Sequence, residues 1–227
     1  MQTIEQRYLY KPFPGSSHSW AISKIQKISK ESKILDVGIG SGIMAERLKS
    51  LEITDIYGIE IDQDTINKLM PLYKDIKTDI NKLPIKDFDY CLMLDVLEHL
   101  TNPFEFLETL KKYLNDNAIL LISVPNIAHW SIRLSLLFGF FEYTERGLLD
   151  KTHYSFFNKK RALKMSKIPN FKLLDYKVSS SPIEYFLPEK IWKSSIYKLF
   201  ADIREKFINL FPGLFGYQHL LLIKYKK

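Results

Sequence analysis

The chain has 227 residues, 46% of them hydrophobic and 14% aromatic, which suits one domain with insertions and a full buried core better than two domains. Its one cysteine, Cys91, allows no intrachain disulfide; inside the apolar run 90–94 it reads as a buried structural thiol, which counts against chemistry that needs a reactive cysteine. The net charge of +7 is unevenly placed: residues 1–150 hold 17 Lys and Arg against 21 Asp and Glu, a balance of −4, while residues 151–227 hold 16 against 5, a balance of +11. Such a basic final third suits a phosphorylated substrate, an anionic membrane surface or nucleic acid, or is a solvated lysine-rich face.

Residues 1–10 carry Glu5 and Arg7 and no continuous apolar core, so no signal peptide is expected, and no apolar run approaches the roughly 20 residues of a membrane span. The expected location is the cytoplasm, with peripheral contact at the inner membrane face left open. In chain order the pattern predicts a helix over 19–29, a strand over 33–37, a helix over 43–51, a strand over 56–61, a helix over 64–70 and a short edge strand over 75–78. A strand over 88–94, a helix over 103–114 and a strand over 118–124 follow. This alternation predicts a parallel α/β sheet. After Pro125 the rhythm breaks into a long aromatic-rich passage, 126–157, before a helix over 159–166. Strands over 171–178 and 219–225 are then separated by residues 179–217. Loops that long inside a compact domain are functional or carry helices of their own.

Residues 34–42 read Ile-Leu-Asp-Val-Gly-Ile-Gly-Ser-Gly, an apolar strand that ends in an acid and runs into three alternating glycines. Gly38, Gly40 and Gly42 let the backbone approach a ligand with no Cβ in the way, so a nucleotide-like ligand is expected at the strand's carboxyl end, the alternative being a plain tight turn. Nicotinamide enzymes use a similar turn but need a small residue where Ile43 stands. Glu60 lies 22 residues after Gly38, where doubly wound folds place a carboxylate that accepts from both ribose hydroxyls. Asp62 and Asp64 read as the start and cap of the next helix. Asp79, followed by Ile80, either meets an adenine amino group or sits in a surface turn. No cluster of Cys, His and carboxylates has metal-ligand spacing, so no metal is expected.

Between 188 and 211, Trp192, Ile196, Leu199, Ile203, Phe207 and Leu210 recur at helical spacing with lysines among them. This predicts one amphipathic helix whose stripe packs on the protein's own cap or on a dimer partner, or meets an anionic membrane surface. The cluster Trp130, Phe138, Phe140, Phe141 and Tyr143 reads as a wall for sugar stacking or lipid shielding, or as ordinary cap packing.

Taken together, Ile34 to Gly42, the Tyr-Gly-Ile-Glu-Ile-Asp of 57–62, the Phe-Asp-Tyr-Cys-Leu-Met-Leu-Asp-Val-Leu-Glu-His-Leu of 88–100 and the Val-Pro-Asn of 124–126 resemble a class I S-adenosylmethionine-dependent methyltransferase. The similarity is greatest to the branch of MetW-like proteins and of methyltransferases from surface-polysaccharide gene clusters. It continues through His129-Trp130-Ser131 and 147–157, covers about residues 8–178, and echoes at 212–215 and Gln218. The resemblance implies a Rossmann-like seven-stranded sheet of order 3-2-1-4-5-7-6 with the last strand antiparallel, as a single domain over 1–227. Residues 126–157 would then form a substrate-cap insertion and 179–217 a helical insertion before the last strand. It also implies S-adenosylmethionine as cofactor, with Gly38, Gly40 and Gly42 at its amino-acid end and Asp36 helping to hold the ammonium. Glu60 with Ile61 would take the ribose, Asp79 with Ile80 the adenine edge, and Asp95 with Val96 the methionine portion. The family usually writes His-Leu-Arg-Phe-Phe-Thr where this chain has His153-Tyr154-Ser155-Phe156-Phe157-Asn158, so a charged substrate contact at 155 is missing.

Methyl transfer to a hydroxyl or an acidic carbon needs a base. His153 is the candidate, with Asp150 close enough in sequence to orient it; alternatively Asp150 to His153 is a turn that fixes the cap through local hydrogen bonds. His99 reads as a helix cap or as cofactor packing ahead of proton transfer. The leading expectation is methylation of a hydroxyl or carbon on a sugar, nucleotide-sugar or lipid-linked glycan. A non-catalytic, cofactor-binding partner of a biosynthetic enzyme is the alternative. A nucleic-acid methyltransferase is opposed by Asp95-Val96-Leu97-Glu98, which lacks the two prolines and aromatic of amino-methylating enzymes.

Overall fold

The computed structural model describes residues 15–26 and 28–227, so the expectations for residues 1–10 and the start of the resemblance at residue 8 fall outside the described residues. Seven strands form one sheet: β1 (Ile34–Val37), β2 (Ile56–Ile59), β3 (Asp75–Lys77), β4 (Phe88–Leu94), β5 (Leu114–Pro125), β6 (Phe171–Val178) and β7 (Gln218–Tyr225). Their order is β3-β2-β1-β4-β5-β7-β6, as expected. The pairings from β3 across to β5 are parallel, whereas β7 runs antiparallel to both β5 and β6.

Every residue of β1 is buried, as befits a central parallel strand covered on both faces. The period-2 alternation of side chains sorts the core into two layers. Leu35 and Val37 of β1, Cys91 and Met93 of β4, and Leu120, Ile122 and Val124 of β5 pack on one side, against Leu107 and Leu110 of α4 (Pro103–Leu110) and Ala162 of α6 (Lys159–Lys164). Ile34, Leu92 and Leu121 face the other side. There they meet α1 (Ser17–Ile25), α2 (Ile43–Ser50) and α3 (Gln63–Leu69). Trp20 of α1 belongs to this layer and is a core residue. Cys91 is fully buried and burial pushes its thiol up, which agrees with a structural role.

Two local readings change, and a third is filled in. Asp62, not Asp64, caps α3, accepting from the Thr65 amide at 2.8 Å, while Asp64 lies in the first turn. The passage after β5 carries α5 (Trp130–Leu137), capped by His129. The single helix expected over 188–211 is two, α7 (Glu189–Trp192) and α8 (Ser195–Leu210), because Ser194 leaves the helical conformation and its hydroxyl caps α8 through the Tyr197 amide. The short α9 (Pro212–Phe215) then leads into β7.

Candidate active site

The carboxyl ends of β1, β2, β4 and β5 gather most of the residues singled out from sequence. Gly38, Gly40 and Gly42 all have positive φ (69°, 53° and 79°), the left-handed region that side chains disfavour. A Cβ on Gly38 would stand 2.6 Å from a Val96 methyl, so the loop after β1 and the turn after β4 approach each other with no room for one. Asp36 is buried on the α3 side of β1, where the Tyr73 hydroxyl donates to it at 2.7 Å. Burial, partly offset by that bond, raises its pKa to about 6, and nearby Glu60 adds to the rise.

At the end of β2 the Glu60 carboxylate is fixed by its own backbone: Oε1 accepts from the amides of Ile61 (2.8 Å) and Asp62 (3.1 Å). Beside it the Ile61 side chain is 84% exposed, an apolar group that a flat ring could cover. Ile80, by contrast, is buried in the core. Asp79 caps the short turn Ile80–Lys82, its Oδ1 accepting from the amide and the side chain of Asn81. That is the local role a surface turn acid would have.

Asp95 follows β4 at φ +58°. Its amide meets Ser123, whose hydroxyl donates to Oδ1 at 2.6 Å, and Gln218 Nε2 donates to both carboxylate oxygens. Gln218 is held in turn by the Ser179 hydroxyl at 2.9 Å, so β4, β5, β7 and the residue after β6 are tied at one point. The sequence offered only a faint echo at Gln218, since its partner lies 123 positions away.

The turn Leu97–His99 meets the 152–155 turn through the Glu98 carbonyl, which accepts from the amides of Tyr154 and Ser155. The imidazoles of His99 and His153 thereby come to 4.9 Å between ring centres, edge to face. Asp150 does not bond to the His153 ring. Its Oδ1 accepts from the Thr152 amide (2.8 Å) and hydroxyl (2.6 Å), and His99 Nδ1 lies 3.1 Å from both the Thr152 carbonyl and hydroxyl. A carbonyl only accepts, so Nδ1 carries a proton, and in the neutral tautomer the lone pair lies on Nε2. Asp150 therefore acts on His99 through Thr152, a relation that nearness of Asp150 to His153 in sequence concealed. Burial lowers the His153 pKa, and the neighbouring His99 lowers it further. Ser155 is buried, with its hydroxyl on the Leu100 carbonyl at 2.9 Å, so position 155 faces packing.

Spacing along the chain gave no metal site, yet the fold brings one donor atom each from Glu98, His99 and His153 within 4.8 Å of one another. These three residue types are ordinary metal ligands, and the grouping is close enough for them to converge on one ion. We read it as an imidazole pair beside a buried acid. Among the aromatic wall residues, Trp130, Phe138, Phe140, Phe141 and Tyr143 are all exposed and do not form the packed cap that was one of their two readings.

The sheet order, with a left-handed glycine loop after its central strand and an acid at the end of the next, is the architecture of class I S-adenosylmethionine-dependent methyltransferases. The profile of the MetW family, "Methionine biosynthesis protein MetW", matches residues 21–174, more than half of the chain, and the chain belongs to that family. A ubiquinone biosynthesis O-methyltransferase of Glaesserella parasuis serovar 5 is 30% identical over 108 residues. That match spans 41% of this chain and 45% of the relative, less than half of its length. Among solved structures, a SAM-dependent methyltransferase from Archaeoglobus fulgidus superposes with a TM-score of 0.60 at 19% identity, covering 95% of this chain and 97% of that one. One from Aquifex aeolicus gives 0.57 at 15%, covering 95% and 91%. The [4+2]-cyclase SpnF gives 0.58 at 16%, covering 92% and 81%. These structural likenesses are likenesses of fold.

Proposed function

We propose that this chain is an S-adenosylmethionine-dependent methyltransferase acting on a hydroxyl of a small molecule, of the sugar, nucleotide-sugar or lipid-linked glycan type. The observation that carries this reading is the His99–His153 pair near Asp95 at the carboxyl end of β4, with His99 oriented by Thr152 and the pKa of His153 lowered by burial. S-adenosylmethionine, when bound, supplies a methyl group already activated on a sulfonium, so the protein's task is to align the acceptor, exclude water and receive one proton.

The residues fit that cofactor. The backbone at Gly38 and Gly40 would lie against its amino-acid end, the buried Asp36 carboxylate would face the ammonium, Glu60 would accept from the ribose and Ile61 would cover the purine. Asp95, pinned by Gln218 and Ser123, would border the methionine chain. Of the two histidines, His153 with its lowered pKa takes the proton, while His99 presents its Nε2 lone pair to the same space. A hydroxyl as acceptor agrees with the name of the Glaesserella relative, an O-methyltransferase.

The second reading is a cofactor-binding partner without turnover; the [4+2]-cyclase shows only that this fold is found under another reaction name. A screen of nucleotide sugars and phenols for release of S-adenosylhomocysteine separates the two. Cofactor binding with no acceptor-dependent release across the screen, in protein purified with its neighbouring gene products as well as alone, would favour the second.

A further inference from the structure

Helix α8 is turned inside out. The face it presents to the protein carries Tyr197, Ala201, Arg204 and Ile208, and its anchor is polar: Arg204 pairs with the buried Glu184, the Tyr197 hydroxyl donates to Glu184 at 2.8 Å, and Arg204 reaches the Ser180 hydroxyl at 3.0 Å. The opposite face is the apolar one. Ile196 (84% exposed), Leu199, Phe200, Ile203, Phe207 and Leu210 (72%) follow the spacing of one helical stripe, and all are exposed. The expectation that this stripe packs on the protein's own cap is thus overturned: the ion pair went inward and the apolar side chains went out.

The stripe continues beyond α8. Phe207 stacks near Phe215 of α9, with ring centres 5.3 Å apart, and Arg133 of α5 donates to the Gly213 carbonyl of α9 at 3.4 Å. At the end of α5 and just beyond it, Leu137, Phe138 and Phe140 are also exposed. Lys159, the first residue of the Lys-Lys-Arg-Ala-Leu-Lys helix α6, also lies next to Gly213, its Cβ 3.8 Å from where a Cβ would stand there. An apolar face of this extent, bordered by a basic helix, needs a partner.

We propose that this face lies on an anionic lipid surface. The charge distribution decides between a bilayer and a second copy of the chain. Self-association through this face would bring two final thirds together, each with a balance of +11, whereas an anionic leaflet neutralises them. No described helix is long and apolar enough to cross a membrane, so α8 would lie in the interfacial plane with its stripe in the acyl boundary. The inference stands independently of the methyl-transfer reading.

Co-sedimentation of the full chain with phosphatidylcholine vesicles, and with vesicles of equal parts phosphatidylcholine and phosphatidylglycerol, tests it. Partitioning onto the anionic vesicles should exceed that onto the neutral ones by roughly tenfold or more, and should fall with added salt, because lysine attraction is screened within about 10 Å. Leu199→Ser with Ile203→Ser should remove the binding and leave the melting temperature unchanged, since both side chains face solvent in the free protein. Absence of wild-type binding to either vesicle would overturn the proposal. So would a wild-type dimer that this double change dissociates, or salt-sensitive capture of random oligonucleotides by a chain that ignores vesicles. Should the double variant fail to fold, the wild-type comparison between the two vesicles decides alone.

Discussion

Gln218 donates from one amide nitrogen to both carboxylate oxygens of Asp95, at 2.5 and 2.6 Å, so the first residue of β7 fixes the acid at the end of β4. That acid sits at a positive φ, uncommon for a residue other than glycine though better tolerated by aspartate than by most, and the clamp helps to hold it there. The last strand of the sheet therefore shapes a site whose other parts come from its first half.

Removing the clamp should be costly. Gln218→Leu leaves a largely enclosed carboxylate without two N–H contacts, and hydrogen bonds to charged groups contribute about 1.5–3 kcal/mol. We expect a fall in melting temperature together with weaker S-adenosylmethionine binding. Gln218→Glu should be worse near neutrality, through like-charge repulsion with Asp95, and should recover in part on acidification. A Gln218→Leu protein that melts and binds like wild type would show that Asp95 holds its place unaided.

Gly40→Val and Glu60→Ala test the cofactor loop. Valine strongly disfavours the φ of +53° at Gly40, and Glu60 has its carboxylate fixed by two amides. Each change should weaken S-adenosylmethionine binding by about 2 kcal/mol or more, the scale of a blocked or unmade buried contact. Titration calorimetry measures this, and tight NAD binding with no response to S-adenosylmethionine would end the assignment of the loop.

The glycine loop, the acid at the end of β2 and the alternation of strands and helices were legible because local rules carry them: φ freedom, a fixed spacing within one βαβ unit, and the period of apolar runs; the strand order came from the family resemblance. The Gln218–Asp95 clamp and the Asp150–Thr152–His99 chain were not. Each joins segments whose meeting depends on how β7 inserts between β5 and β6, or on how the 152–155 turn folds onto Glu98, and no periodicity encodes either. The face of α8 was misread for a related reason. Apolar spacing identifies a stripe but not the direction it points, and here the buried Glu184–Arg204 pair turned the helix over.

The histidine pair makes a pH prediction. Burial and the neighbouring His99 hold the His153 pKa below the ordinary histidine value, so it is a neutral base at pH 7 and stays one under mildly acidic conditions. Methyl transfer should therefore keep its plateau through about pH 6.5, the unperturbed value, and decline only below it. His153→Gln should lower kcat by about 10²–10⁴-fold, the usual worth of a positioned base, with cofactor affinity nearly unchanged. Thr152→Val cuts the link from Asp150 to His99 and should shift the acidic limb with a smaller loss of rate. If a chelator abolishes turnover and a divalent cation restores it, the histidines and Glu98 act as ligands, not as a base.

Asp36 sets function against stability. Its folded pKa of about 6 lies above the ordinary aspartate value of 3.8, chiefly because burial penalises the charge. Between those values the folded chain holds a proton that the unfolded chain has released, so this residue favours folding below pH 4 and that benefit disappears as pH rises through 6. His219 and His129 act in the opposite sense, since burial lowers both to about 4. They favour folding above pH 6.5, and their contribution is lost as pH falls towards 4. Asp36→Asn should thus raise stability at pH 7 by on the order of 3 kcal/mol, given about 1.4 kcal/mol per pKa unit, while changing little at pH 4. Its melting temperature should climb more steeply with pH than that of the wild type. The same change removes the carboxylate proposed to face the cofactor's ammonium, so S-adenosylmethionine affinity should fall as stability rises, the trade expected where a strained charge serves a site. A variant that melts lower than wild type at pH 7 would show that the Tyr73 hydrogen bond outweighs the buried charge. One that binds the cofactor as tightly as wild type would remove Asp36 from the site.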